Sequence, residues 1–134
     1  MEIKEYINYN EEEILGLYSA VGWTAYTKNL AALREGYAHS LLTLAAYEGP
    51  DLMGIIRTVG DGVTVVFVQD LLVFPEQQRK GVGTALLRAV LDRFAGVRQI
   101  ELVTDQTEKT VSFYRSMGFR ELSETGCCGF MKSC

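Results

Sequence analysis

Gln78-Arg79-Lys80-Gly81-Val82-Gly83-Thr84-Ala85 decides how this 134-residue chain is read. It follows the apolar run Val63 to Val73 and opens an amphipathic helix. That helix turns Leu86, Leu87, Val90, Leu91 and Phe94 to a core and keeps Arg88 and Asp92 on the wet side. Backbone N–H groups in a first helical turn have no partner inside the helix. They carry the positive end of the helix dipole, so an anion can rest on them. Gly81 and Gly83 have no Cβ to hold that anion away, and Arg79 and Lys80 add charge. Strand, basic glycine turn and helix start, in that order, predict a site for a phosphate-bearing ligand.

The rest of the chain bounds that ligand. A net charge of −4 gives the surface as a whole no attraction for nucleic acid, so the basic turn is a local anion site. The length fits one domain spanning 1–134, with no repeat, low-complexity stretch or linker. No apolar run approaches a membrane span, and Met1-Glu2-Ile3-Lys4-Glu5 lacks the regions of a signal peptide. A cytoplasmic protein without membrane partners is expected. Cys127, Cys128 and Cys134 are odd in number, crowd the C-terminus and lack metal-ligand spacing. They are read as free thiols, with no metal site.

Outward from the turn, the elements follow from local pattern. Glu2–Ile7 is a short first strand. Asn10 caps a helix that opens on Glu11-Glu12-Glu13 and carries Ile14, Leu17, Tyr18 and Val21 at helical spacing. Trp23-Thr24-Ala25-Tyr26 is expected as a loop, and Thr27 as the cap of a second helix with Leu30, Leu33 and Tyr37 on one face and His39 near its end. Ser40–Tyr47, Leu52–Val59 and Val63–Val73 read as strands, the last two joined by the hairpin turn Gly60-Asp61-Gly62. Gln99–Thr104 is a strand, and a helix carrying Thr110, Phe113, Tyr114 and Met117 stops at Gly118. Phe119–Leu122 and Gly129–Lys132 are expected as a last strand pair, whose short edges could join two copies into a homodimer. The fold class is α/β: a mixed, mostly antiparallel twisted sheet in the order β-α-α-β-β-β-α-β-α-β-β, with helices on both faces.

The glycine turn is neither a Walker A loop nor a GxGxxG dinucleotide turn. A second motif narrows the choice: Phe113-Tyr114-Arg115-Ser116-Met117-Gly118-Phe119. Together the two resemble the GNAT superfamily of acyl-CoA-dependent N-acyltransferases. Gln78, Gly81 and Gly83 meet its Gln/Arg-x-x-Gly-x-Gly/Ala signature, and Asp70 to Glu76 resembles its strand end and Pro-Glu turn. The element order is similar too, so the likeness covers nearly the whole chain. Tyr18, Val21-Gly22-Trp23 and Gln69-Asp70 are further similar to a subgroup that includes plant serotonin (arylalkylamine) N-acetyltransferases.

The resemblance implies acetyl transfer from acetyl-CoA, as cosubstrate, to a primary amine of a small molecule by direct attack in a ternary complex. The coenzyme A pyrophosphate would lie on Gln78, Arg79, Lys80, Gly81, Val82, Gly83 and Thr84. The pantetheine arm would pair like an extra strand with Leu71, Leu72 and Val73. A backbone N–H there would polarise the thioester carbonyl. Tyr114 resembles the general acid that protonates the leaving sulfur; a phenol keeps its proton at neutral pH. Some members carry a glutamate base where this chain has Phe67, which cannot take a proton. Asp70 is the nearest carboxylate on the strand and takes that role, directly or through a water. Many members carry asparagine where this chain has Thr107. Trp23 and Tyr26, with Tyr37, would line the acceptor pocket.

Bland readings stand beside these. Tyr114 and the aromatic side chains could serve only the core, and Asp70 could be a structural hydrogen-bond acceptor. Acetylation of a protein lysine or N-terminus is a second enzymatic reading, and a non-catalytic acyl-CoA-binding regulatory module a third.

Overall fold

In the computed structural model, which describes residues 1–133, the chain forms two compact units, Met1–Val103 and Thr104–Cys134. The first holds strands β1 (Glu2–Glu5), β2 (Leu42–Glu48), β3 (Asp51–Gly60), β4 (Val65–Val73) and β5 (Gln99–Leu102). They form one sheet in the order β1-β2-β3-β4-β5. Neighbours run antiparallel through β4, and β5 joins β4 in parallel. Hairpins join β2 to β3 and β3 to β4, whereas the parallel step from β4 to β5 needs the crossover helix α4 (Val82–Arg93).

Helices α1 (Glu11–Ala20), α2 (Thr24–Thr27) and α3 (Leu30–Ala38) lie between β1 and β2. Asn10 caps α1 as expected, its side chain accepting from the Glu13 amide at 3.1 Å. Two expectations change here. Trp23 to Tyr26 is not an open loop, because Thr24–Thr27 forms a helical turn closed by the Thr27 hydroxyl on the Thr24 carbonyl. Asn29, not Thr27, caps α3, accepting from the Ala32 amide at 3.1 Å. The two faces of the sheet separate by strand parity. Ala45, Ile55 and Leu72 pack with Ile14, Leu17 and Tyr18 of α1 and Leu33 of α3. Leu44, Ala46 and Ile56 alternate to the other face, and α4 packs against β2, β3 and β4 with Leu86, Leu87 and Val90 buried.

One irregularity organises β4. Thr58 pairs with Val68 but Arg57 pairs with Asp70, so Gln69 is an extra residue, a β-bulge. Cross-strand partners share a face. Val68, opposite Thr58, therefore faces the α4 side, while Asp70 and Leu72, opposite Arg57 and Ile55, face α1 and α3. The Gly60-Asp61-Gly62 hairpin forms as expected: one Asp61 oxygen accepts from the amides of Val63, Thr64 and Val65 at 2.8, 2.8 and 3.1 Å.

In the second unit Thr107 caps α5 (Glu108–Ser116), which ends at Gly118 in the left-handed region. The expected strands Phe119–Leu122 and Gly129–Lys132 are not formed. Leu122–Thr125 is instead a 3-10 turn with a capping box between Glu121 and Glu124, closed by Gly126 with φ +83. Arg115 pairs with both Glu121 and Glu124 at 2.7 Å, which holds the turn against the end of α5. The edges proposed for a homodimer are thus not strands. Cys127 and Cys128 are free and exposed, and Cys134 lies outside the described residues. Among the described residues no helix is long and apolar enough to cross a membrane, and no metal-holding group of His, Cys, Asp or Glu occurs.

Candidate active site

The glycine turn leads from the end of β4 into α4. Pro75–Gln77 makes a 3-10 turn off the end of β4, and the Gln78 amide donates back to the Val73 carbonyl at 3.2 Å through its side chain. Arg79 has φ +66, the only left-handed non-glycine among the described residues. A side chain in that region costs of order 1 kcal/mol and persists where the surroundings demand it. Gly81 follows at φ +82 as the N-cap of α4, with no side chain capping the first turn. Two left-handed residues thus flank Lys80, and the uncapped first-turn N–H groups of α4 are left to a ligand or solvent. Arg79, Lys80 and Gly81 are exposed, Gly83 and Thr84 are half-buried, and Val82 alone is buried and anchors the turn.

Beside the turn lies a strand edge that no strand covers among the described residues. β5 pairs with β4 only over Val65–Val68, and β4 runs on to Val73. Among the described residues no strand covers the β5-side edge of Gln69, Asp70, Leu71, Leu72 and Val73. The Val73 carbonyl on that side accepts from the Gln78 side chain, and the other backbone groups there have no strand partner among the described residues. Phe67, at the position of the missing glutamate, sits in the ladder opposite Val59 and Glu101.

On the α1/α3 face the bulge delivers Asp70 into a buried polar network. Asp70 is 1% exposed and Arg57 6%. Oδ2 accepts from Arg57 Nε at 2.7 Å and from the Tyr18 hydroxyl at 2.8 Å. Tyr18 has one proton, spent on Asp70, so Tyr37 donates across their 2.9 Å contact. The other oxygen, Oδ1, is buried without a hydrogen-bond partner among the described residues. Burial works against the charge of Arg57, but the Asp70 carboxylate outweighs it and the guanidinium pKa is raised. Burial first, then Tyr37 and Asp70, pushes the Tyr18 phenol far above its ordinary range.

The expected acceptor-side aromatics do come together. Trp23 and Tyr26 stack at 6.0 Å between centroids, and Tyr26 meets Tyr18 edge-on at 5.2 Å. Gln69, turned out by the bulge, donates to the Tyr26 hydroxyl at 3.1 Å. Tyr26 lines an open pocket of about 180 Å³ between α2, α3 and Arg57. Trp23 is 37% exposed and lies outside that lining. Sequence reasoning missed Arg57, the hydrogen bond from Gln69 to Tyr26 and the structural role of Tyr18. The available signal was a lone basic residue inside the apolar run Leu52–Val59.

Tyr114 sits on α5 with Phe113 and Phe119 edge-on at 5.0 and 5.8 Å. Burial raises its pKa, so its hydroxyl stays protonated through neutral pH and above.

Residues 6–129 match the model of the acetyltransferase (GNAT) domain. The chain belongs to the GNAT family. It is similar to a GNAT-family acetyltransferase of Streptococcus pneumoniae, with 43% identity, a TM-score of 0.89, and coverage of 99% of this chain and 97% of that one. It is 33% identical to GCN5-related N-acetyltransferase 2, chloroplastic, of Arabidopsis thaliana, over 80% of this chain and 48% of that protein. The chain thus spans about half the length of this plant relative. The aminoglycoside 6'-acetyltransferase type Ii structure shares the GNAT fold at a TM-score of 0.77 and 22% identity, covering 91% of this chain and 84% of that one.

Proposed function

We propose that this GNAT chain transfers an acetyl group from acetyl-CoA to a primary amine of a small molecule, by direct attack in a ternary complex. The observation that carries the reading is the pairing of an uncapped, glycine-led helix start with an open strand edge. One suits a pyrophosphate and the other an amide-bearing arm. Acetyl-CoA supplies, when bound, an acetyl thioester whose C–S bond gives way to an amide bond. Arg79 to Thr84 hold the phosphates, with Gln78 tying the turn to the strand end. The open backbone of Leu71, Leu72 and Val73 holds the arm, and an N–H of this stretch stabilises charge on the carbonyl oxygen.

Tyr114 gives its proton to the departing sulfur. Asp70 receives the proton released by the attacking amine. Oδ1 is the atom for that task, since Oδ2 already accepts two short hydrogen bonds. Trp23 and Tyr26 supply an aromatic wall for the acceptor. A small acceptor is favoured by the size of the pocket beside Tyr26. That solved aminoglycoside acetyltransferases share the fold agrees with such an acceptor.

Two measurements test this. Acetyl-CoA at about a hundred times its Kd should stabilise the fold by about 2.7 kcal/mol, a rise of several degrees in Tm. Thiol release should then appear with small primary amines. No Tm shift at saturation removes the cofactor assignment. Turnover only with a lysine or N-terminal peptide moves the acceptor to protein.

A further inference from the structure

The pocket between α2, α3 and β3 contains an unspent donor. Arg57 lines it, and among the described residues only two of its three nitrogens are hydrogen-bonded: Nε to Asp70 and Nη1 to the Ser40 hydroxyl at 3.3 Å. Nη2 has no hydrogen-bond partner there and, unlike Asp70 Oδ1, keeps contact with solvent, although the side chain as a whole is only 7% exposed. The rest of the lining is chiefly small and apolar: Ala25, Ala32, Leu33 and Gly36, with Tyr26 as one wall. A Cβ on Gly36 would stand 3.4 Å from Nη1, so glycine there leaves the flank of the guanidinium clear. At about 180 Å³ the pocket exceeds the ~150 Å³ that admits a benzene-sized group.

Resting on the acetyl-transfer reading, we propose that Arg57 is a specificity residue: the pocket takes the far end of the acceptor, an apolar stem ending in a neutral hydrogen-bond-accepting oxygen. Nη2 meets that oxygen while Trp23 and Tyr26 hold the amine end. Neutrality follows from the charges present. Arg57 is already balanced by Asp70 at 2.7 Å. A carboxylate in the pocket would add a second, uncompensated negative charge beside Asp70. A hydroxyl or carbonyl takes the donor without that repulsion. The substrate class is therefore amines carrying a hydroxyl or carbonyl oxygen a few carbons from the nitrogen, not amino acids and not plain alkylamines.

The test compares n-alkylamines, ω-amino alcohols and ω-amino acids of matched chain lengths, using thiol release with acetyl-CoA held saturating. A hydrogen bond to a charged donor predicts a kcat/KM for the best amino alcohol about tenfold or more above the alkylamine of equal length. The amino acid should fall below the amino alcohol. Arg57→Lys keeps a positive partner for Asp70 but loses the planar fork, and should bring the alcohol-to-alkyl ratio to about one. Should that variant melt early, Ala32→Leu reads the same ratio by filling the pocket without touching the ion pair. Leucine is a good helix former, so α3 should accept it. Equal rates for alcohol and alkyl series in the wild type overturn the inference alone, as does a ratio that survives Ala32→Leu. Thiol release from no amine of any class overturns the acetyl-transfer reading and this inference with it.

Discussion

Asp70 has two unequal oxygens, and its chemistry turns on the difference. Oδ2 is held by Arg57 and Tyr18, whereas Oδ1 is buried and unmatched. Asp70→Asn leaves the Arg57 charge buried without a counter-charge, which typically costs about 3–5 kcal/mol. We expect Tm to fall by about 10 °C or more, read by thermal denaturation. The double variant Arg57→Met/Asp70→Leu removes both charges. Tyr18 would keep Tyr37 as its hydrogen-bond partner. It should recover at least half of that loss while amine turnover stays abolished. A double variant as unstable as the single one would show that packing, not charge, sets the cost. Tyr114 is the contrasting residue, with aromatic neighbours and a burial-raised pKa. Tyr114→Phe keeps the packing and removes the proton. General acid catalysis contributes roughly 10²–10⁴-fold, so kcat should fall at least about tenfold with the acetyl-CoA-induced Tm shift unchanged. Full kcat in the variant would return Tyr114 to a core role.

At the scale of elements, the end of β4 depends on a glycine across the ladder. Gly54 pairs with Val73, and a Cβ there would lie 2.6 Å from the Leu72 carbonyl oxygen and 3.2 Å from the Val73 Cα. Backbone cannot give way as a side-chain tip can, so Gly54→Ala must displace the edge proposed to hold the cofactor arm. Overpacking of this kind costs about 1–3 kcal/mol. The Kd for acetyl-CoA should rise along with the drop in Tm; calorimetry that finds unchanged affinity would separate this edge from cofactor binding. The same strand shows where sequence stops being legible. The hairpin was readable from Gly60-Asp61-Gly62, α1 from its asparagine cap, and the turn into α4 from Gln78 to Thr84. The bulge was not. Val66, Val68, Asp70 and Leu72 are all buried in unbroken alternation, which is how a regular strand also reads. Only the pairing with β3 reveals that the first two and the last two face opposite ways. Arg57 was hidden for the same reason, since its partner is set by register. The C-terminal strands failed differently. Leu122-Ser123-Glu124-Thr125-Gly126 carries its own turn signals, and Arg115 with Glu121 and Glu124 outweighs the weak strand pattern of Phe119–Leu122.

The whole molecule concentrates phenols, and that sets its response to alkali. The chain has seven tyrosines, and all seven have raised pKa values in the fold. Burial is the leading cause at every one. Tyr47, also beside Glu13, is pushed up to about 12; burial, with Glu13 again adding to the rise, drives Tyr6 higher still. An unfolded tyrosine ionises near ~10. Between that value and the folded one, the unfolded chain loses phenol protons that the folded chain retains. The unfolded state then binds fewer protons, so stability falls as pH rises. Below about pH 10 both states hold their phenol protons and these groups add no slope. Unfolding in alkali should therefore be cooperative and coupled to ionisation. Phenolate absorbance should stay low past pH 10, then rise in one step that coincides with loss of the circular-dichroism signal. Tyr18→Phe keeps the ring but removes the phenol pushed highest, and should reduce the steepness of that step. A gradual titration of several tyrosines near pH 10 with the fold intact would show that the aromatic cluster of α1, α2 and α3 is open to solvent, and would also remove the walls assigned to the acceptor pocket.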